Sequence, residues 1–216
     1  MKKLIIILVI LAVVLLLIKR KDMSWRQSVM KTFYPLIMLR GKLMGKGQIL
    51  RNRAGVQPSV SFYSLQMVAN NGSLITFDSF KGKKVLLVNT ASDCGYTGQY
   101  EELENLHRQY GEQLVVLGFP ANDFKHQETK DDAAIAAFCK INYGVSFPLM
   151  KKSMVIKGSE QNEVFNWLSD STRNGWCNQA PVWNFCKYII DENGTLLAFF
   201  PNTVSPLGKE LLSVLQ

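Results

Sequence analysis

The sequence predicts an α/β fold over residues 59–216, preceded by an N-terminal transmembrane helix and a basic connecting arm. Three observations carry this. An apolar run, Lys84 to Asn89, is followed by a helix-period stripe and then by a second apolar run, Gln113 to Phe119. A later pair of apolar runs flanks Glu192-Asn193-Gly194, a hairpin signal. The charge is split: residues 1–58 hold twelve Lys/Arg against one acid, Asp22, whereas residues 59–216 hold thirteen against sixteen acids, so the overall +8 belongs to the arm.

The arm opens with Leu4 to Ile18, fifteen apolar residues between Lys2-Lys3 and Lys19-Arg20-Lys21. As a helix this run is about 22 Å long, short of the roughly 30 Å hydrocarbon core, a gap that snorkelling lysines and local thinning can close. A cleaved signal peptide has a similar apolar length but ends in small residues. This run ends in Lys-Arg-Lys-Asp, so residues 1–21 read as an uncleaved, single-pass membrane anchor. Five Lys/Arg between residues 19 and 31, against two before the anchor, place the domain on the cytoplasmic side; a periplasmic or secreted domain is the alternative. Residues 22–58 follow as a basic amphipathic juxtamembrane segment and linker. Trp25, Val29, Phe33 and Ile37 recur at spacing four among Arg26, Lys31, Arg40 and Lys42. Such a segment can lie on anionic headgroups or pack on the domain. Pro35 is expected to kink or break it, and Gly45 to Ser59 reads as linker.

Within the domain, Phe62 to Leu65 and Ile75 to Phe77 form a hairpin turned at Asn70-Asn71-Gly72. Strand 84–89, helix 97–110 and strand 113–119 then make a β-α-β unit, which implies parallel strands. Tyr100, Leu103, Leu106 and Tyr110 line one helix stripe. An Ala-rich helix spans 131–142, another 160–168. Strands at 185–191 and 195–200 precede a closing helix at 206–215. This is the thioredoxin-like order. It contains no Cys-x-x-Cys, which disfavours a dithiol oxidoreductase.

Cys94 sits in the turn between strand 84–89 and the next helix. Free backbone N–H groups and the helix dipole favour a thiolate there; the plain alternative is a cysteine packed as a small apolar residue. The wider segment, Asn89-Thr90-Ala91-Ser92-Asp93-Cys94-Gly95-Tyr96-Thr97 with Gln99-Tyr100 and Leu103, resembles the peroxidatic segment of the glutathione peroxidase family. Three further stretches match in order. They are Gly118-Phe119-Pro120-Ala121-Asn122-Asp123-Phe124-Lys125-His126-Gln127-Glu128, then Phe138-Cys139 with Asn142-Tyr143-Gly144-Val145 and Phe147-Pro148-Leu149-Met150, then Trp183-Asn184-Phe185 with Lys187-Tyr188. The resemblance runs from about Phe62 to Gln216.

The resemblance implies a thioredoxin-like fold and a thiol peroxidase of the cysteine-containing, thioredoxin-dependent, phospholipid hydroperoxide type. Cys94, Gln127, Trp183 and Asn184 match its catalytic tetrad, and Cys139 its resolving cysteine. The implied reaction reduces hydrogen peroxide and organic or lipid hydroperoxides through a Cys94 sulfenic acid, with thioredoxin or glutathione as reductant. Taken singly, Trp183 reads as a core aromatic, Asn184 as a turn residue, Gln127 as a surface residue and Cys139 as part of an apolar helix face. Cys177 and Cys186 match no catalytic position. Several residues depart from the family pattern: Ala121 for a frequent cysteine, Asp123 for Gln, Lys125 for Gly, Thr129 and Gly98 for Pro. A carboxylate at Asp123 is expected to raise the thiolate pKa if it faces the site.

The resemblance also implies a monomer, since residues 151–180 lack the insertion associated with the family's tetrameric members. His107 and His126 form no ligand cluster, so neither metal nor cofactor is expected. The basic pI comes from the arm, and no basic, aromatic-interleaved stripe supports a nucleic-acid partner. The competing reading is a membrane-tethered peroxide sensor that relays its disulfide to a partner protein.

Overall fold

The computed structural model describes residues 22–44 and 47–215; the apolar run at 4–18 lies outside them. Five strands form one sheet in the order β1 (Leu50–Arg51), β7 (Leu196–Phe200), β6 (Lys187–Ile190), β4 (Lys84–Thr90), β5 (Leu114–Pro120). β4 and β5 run parallel through seven paired residues, and the remaining pairs are antiparallel. The crossover between β4 and β5 is α3 (Gln99–Tyr110), as the β-α-β reading requires. The other helices of the domain are α4 (Asp132–Tyr143), α5 (Glu163–Leu168), α6 (Ser171–Asn174) and α7 (Lys209–Leu215).

Because side chains alternate along a strand, the sheet feeds two cores. Leu86 and Val88 of β4 point into one, with Tyr100, Leu103 and Leu106 of α3 and Ile135, Phe138 and Cys139 of α4. Val85 and Leu87 point into the other, with Phe62, Phe77, Phe165 and Trp167. The predicted α3 stripe is therefore the buried one, with Tyr110 half-buried at its end. α4 is closed at both ends: Asp131 accepts from the Ala134 N–H, and Gly144 takes a left-handed φ of 67°, which glycine adopts without a Cβ penalty.

Three expectations are corrected. The first hairpin starts later than expected: Phe62–Ser64 is a turn of 3-10 helix with Ser61 as N-cap, and the strands are β2 (Gln66–Val68) and β3 (Leu74–Thr76). The supposed linker is partly ordered into the sheet, since Leu50 and Arg51 pair with Phe199 and Ala198 on the edge of β7, using otherwise unpaired backbone groups. The arm is not one continuous stripe. α1 (Trp25–Thr32) begins with a capping box in which Ser24 and Gln27 exchange bonds, and it ends at Phe33. α2 (Tyr34–Met44) restarts there with Pro35 in its first turn, where a missing N–H costs nothing.

Both arm helices pack on the domain. Gln27 Nε2 donates to Ser92 O at 3.0 Å, and Tyr34 OH donates to Glu102 at 2.6 Å. Lys31 Nζ reaches both Asn142 O and Glu101, each at 2.6 Å, and lies 4.1 Å from the Tyr143 ring centre. A Cβ on Gly98 would sit 2.3 Å from the Tyr34 ring, so the glycine standing at a usual proline is what lets α2 approach. Among the described residues no helix is long and apolar enough to cross a membrane.

Candidate active site

β4 delivers the chain to a turn over residues 91–98 that several groups hold. Asp93 N–H donates to Gln127 O at 3.0 Å and Thr97 N–H to Cys94 O at 3.2 Å. Ser92 gives both its N–H and its hydroxyl to the buried Glu128 carboxylate, at 2.7 and 2.8 Å, and accepts from Lys130 Nζ. Burial pushes the Glu128 carboxyl up, against the lowering effect of those bonds and of Lys130 and Lys152.

Cys94 is only 1% exposed. Burial pushes its thiol up; the Tyr96 N–H, the Asn184 amide and the Trp183 indole, as donors, pull it back, and Asp93 raises it again. The turn supplies the thiolate-favouring donors expected of it, yet desolvation outweighs them. The carboxylate that acts on Cys94 is Asp93, which pairs with Arg26 of α1 at 3.2 Å. Asp123 does not take this part: its Oδ2 accepts from Val155 N–H at 2.7 Å, spending the carboxylate on a loop bond.

The remaining site residues arrive from two loops. Asn184 Nδ2 donates to Gln127 Oε1 at 2.9 Å; this sets the Gln127 amide with Nε2 as its donor end. Trp183 is half-buried, 5.7 Å from the Phe124 ring, with Lys125 Nζ 5.6 Å above it. Lys125 and His126 both take left-handed φ values, 53° and 52°, so the loop after β5 keeps a glycine-like path although a lysine fills it.

Sequence reasoning missed Asn89 as a site residue. Fully buried at the end of β4, its Nδ2 donates to Trp183 O at 3.0 Å and its Oδ1 accepts from Cys186 N–H at 2.9 Å. Its carbonyl accepts from Phe185 N–H at 2.6 Å, and Phe185 has φ 67°. A bulky residue in that region costs about 1–3 kcal/mol, and Asn89 holds it there. The sequence signals were a polar residue closing an apolar strand and its place at the head of the segment that carries Cys94.

All four cysteines are free thiols and buried. Cys94 and Cys139 share one core, whereas Cys177 and Cys186 belong to the core across the sheet. Burial pushes the Cys139 thiol up to about 12, with Glu128 adding to it and Tyr100 and Lys130 opposing.

The glutathione peroxidase family pattern matches residues 62–169. Glutathione peroxidase-like peroxiredoxin 2 of Saccharomyces cerevisiae is 41% identical over 161 residues, covering 73% of this chain and 99% of that protein. The chain belongs to the glutathione peroxidase family. Glutathione peroxidase-like peroxiredoxin GPX5 of Chlamydomonas reinhardtii, another family member, is 42% identical over 158 residues, 72% of this chain and 96% of that one. The crystal structure of T. cruzi GPX1 superposes with a TM-score of 0.55 at 30% identity, covering 72% of this chain and 96% of that chain. As a family member this chain is a peroxidase with a thioredoxin-like α/β fold.

Proposed function

We propose that the protein is a membrane-anchored thiol peroxidase in which Cys94 attacks the peroxide and Cys139 resolves the product. The observation that carries this is the convergence on Cys94 of two uncharged side-chain donors, the Asn184 amide and the Trp183 indole, with Gln127 brought in from a second loop as the partner of Asn184. Uncharged donors polarise an O–O bond without pairing permanently with a thiolate.

The Cys94 thiolate attacks one peroxide oxygen. The O–O bond breaks, and the second oxygen leaves and takes up a proton to become water or an alcohol. Cys94 is left as a sulfenic acid. The Cys139 thiol then displaces its hydroxyl as water, forming a Cys94–Cys139 disulfide that a thioredoxin dithiol reduces back. Cys139 is buried in α4 with a thiol raised to about 12, so resolution requires local opening of that helix. The location of Cys177 and Cys186 in the opposite core supports Cys139 as the resolver. The peroxiredoxin names of the yeast and algal relatives support a protein dithiol over glutathione.

Residues 1–21 are proposed to anchor a monomer with the domain on the cytoplasmic side, from the apolar run and the basic residues after it. The test is turnover of hydrogen peroxide and a lipid hydroperoxide with thioredoxin or glutathione. Cys94→Ser should abolish both, and Cys139→Ser should abolish thioredoxin-driven turnover while sparing the first attack. Full glutathione-driven turnover in Cys139→Ser would overturn the assignment.

A further inference from the structure

The two faces of the arm do different things. Tyr34, Ile37 and Gly41 of α2 face the domain, against Gly98, Gly95 and Tyr96 respectively. Helical spacing puts Leu36, Leu39 and Leu43 on the other stripe, and there they are exposed, Leu36 by 60% and Leu43 by 76%. Trp25 and Phe33 of α1 are also exposed. Arg40 and Lys42 lie exposed among them, and no acid occurs between residues 23 and 77.

We propose that this outer face of α1–α2 docks on a bilayer carrying anionic phospholipids. Exposed apolar side chains on one face mark an interaction surface, and Arg40 and Lys42, exposed among them, fit anionic headgroups. The chain before the arm points to the same occupant. Six residues separate Ile18, the end of the apolar run, from Trp25, a span of at most about 25 Å fully extended, so an anchored chain cannot carry α1 far from the surface. Because the inner stripe of the same helix lies on the Cys94 turn, docking holds that turn about one helix thickness, ~10 Å, from the lipid. Hydroperoxides on phospholipid acyl chains are then the substrate class within reach. The inference rests on the membrane attachment proposed above.

The experiment uses the full chain reconstituted with phosphatidylcholine–phosphatidylglycerol vesicles. Flotation reads attachment. Quenching by brominated lipid, taken as the difference between wild type and Trp25→Phe, reads docking independently of peroxidase activity. Wild type should float with Trp25 quenched. Leu36→Glu/Leu39→Glu/Leu43→Glu should float with Trp25 unquenched. Its kcat/KM on vesicle lipid hydroperoxide should fall about tenfold, about 1.4 kcal/mol, with hydrogen peroxide turnover unchanged. A floating wild type with unquenched Trp25, a triple variant that behaves as wild type, or cross-links between two copies through Leu39→Cys would each overturn the docking alone. Failure to float would overturn docking and anchor together.

Discussion

Replacing Asn89 by alanine should damage the site from behind without touching peroxide. The side chain makes two bonds, to Trp183 O and from Cys186 N–H. Its loss leaves the buried Cys186 N–H and the half-buried Trp183 carbonyl without these partners, at about 1–3 kcal/mol for each group left unsatisfied. Phe185 keeps its backbone bond to residue 89, but the turn around its left-handed φ of 67° loses the clamps on either side. A loss of about 2–6 kcal/mol is expected, a large share of a typical 5–15 kcal/mol stability. Urea unfolding followed by tryptophan fluorescence measures it. Stopped-flow peroxide consumption should show Cys94 attack slowed about tenfold or more, since Trp183 and Asn184 lose their aim. Asn89→Asp keeps the acceptor for Cys186 and should fall between. A variant within about 0.5 kcal/mol of wild type with an unchanged attack rate would refute the reasoning.

Gly98→Ala should drive the Tyr34 ring off the α3 N-terminus, given the 2.3 Å approach; limited proteolysis should cut within residues 23–44 while residues 59–216 stay folded, and an uncut arm would contradict the packing. The raised Cys94 thiol means that thiolate, and hence attack rate, should rise with pH through the neutral range and still climb at about pH 9. Asp93→Asn should move that profile to lower pH, whereas a plateau below about pH 7 would contradict it. Buried Lys187 has its amine lowered to about 7 by desolvation. Between there and its ordinary 10.5 the unfolded chain binds the extra proton, so wild-type stability should rise with pH relative to Lys187→Met. Equal pH slopes in melts of the two proteins would rule this out.

The elements whose signal is local were readable from the chain. The β4-α3-β5 unit follows from two apolar runs on either side of a stripe of period 3.6, and the alanines marked α4, whose Asp131 cap and Gly144 stop the structure supplies. The tetrad positions were found by resemblance, and the structure brings Cys94, Gln127, Trp183 and Asn184 to one turn; Cys139 shares the core beneath. What escaped depends on partners far along the chain. Asn89 meets residues more than ninety positions away. Tyr34 meets Gly98, and the stripe from Trp25 to Ile37 broke at Phe33, so Ile37 turns inward to Gly95 while Trp25 faces out. Asp123 looked like a carboxylate for the site because sequence proximity to Gln127 says nothing of its bond to Val155. The burial that raises Cys94 was weighed only as an alternative to the reactive thiolate, whereas the structure shows a buried thiol with donors around it.

The central claim is that Cys94 is oxidised first and Cys139 closes on it. The full chain, treated with one equivalent of peroxide and alkylated without reductant, should yield one cross-linked peptide pair joining Cys94 to Cys139 by mass spectrometry, and in Cys139→Ser a Cys94 sulfenic acid trapped by dimedone. A bridge from Cys94 to Cys177 or Cys186, or oxidation that leaves Cys94 a free thiol, would contradict the account.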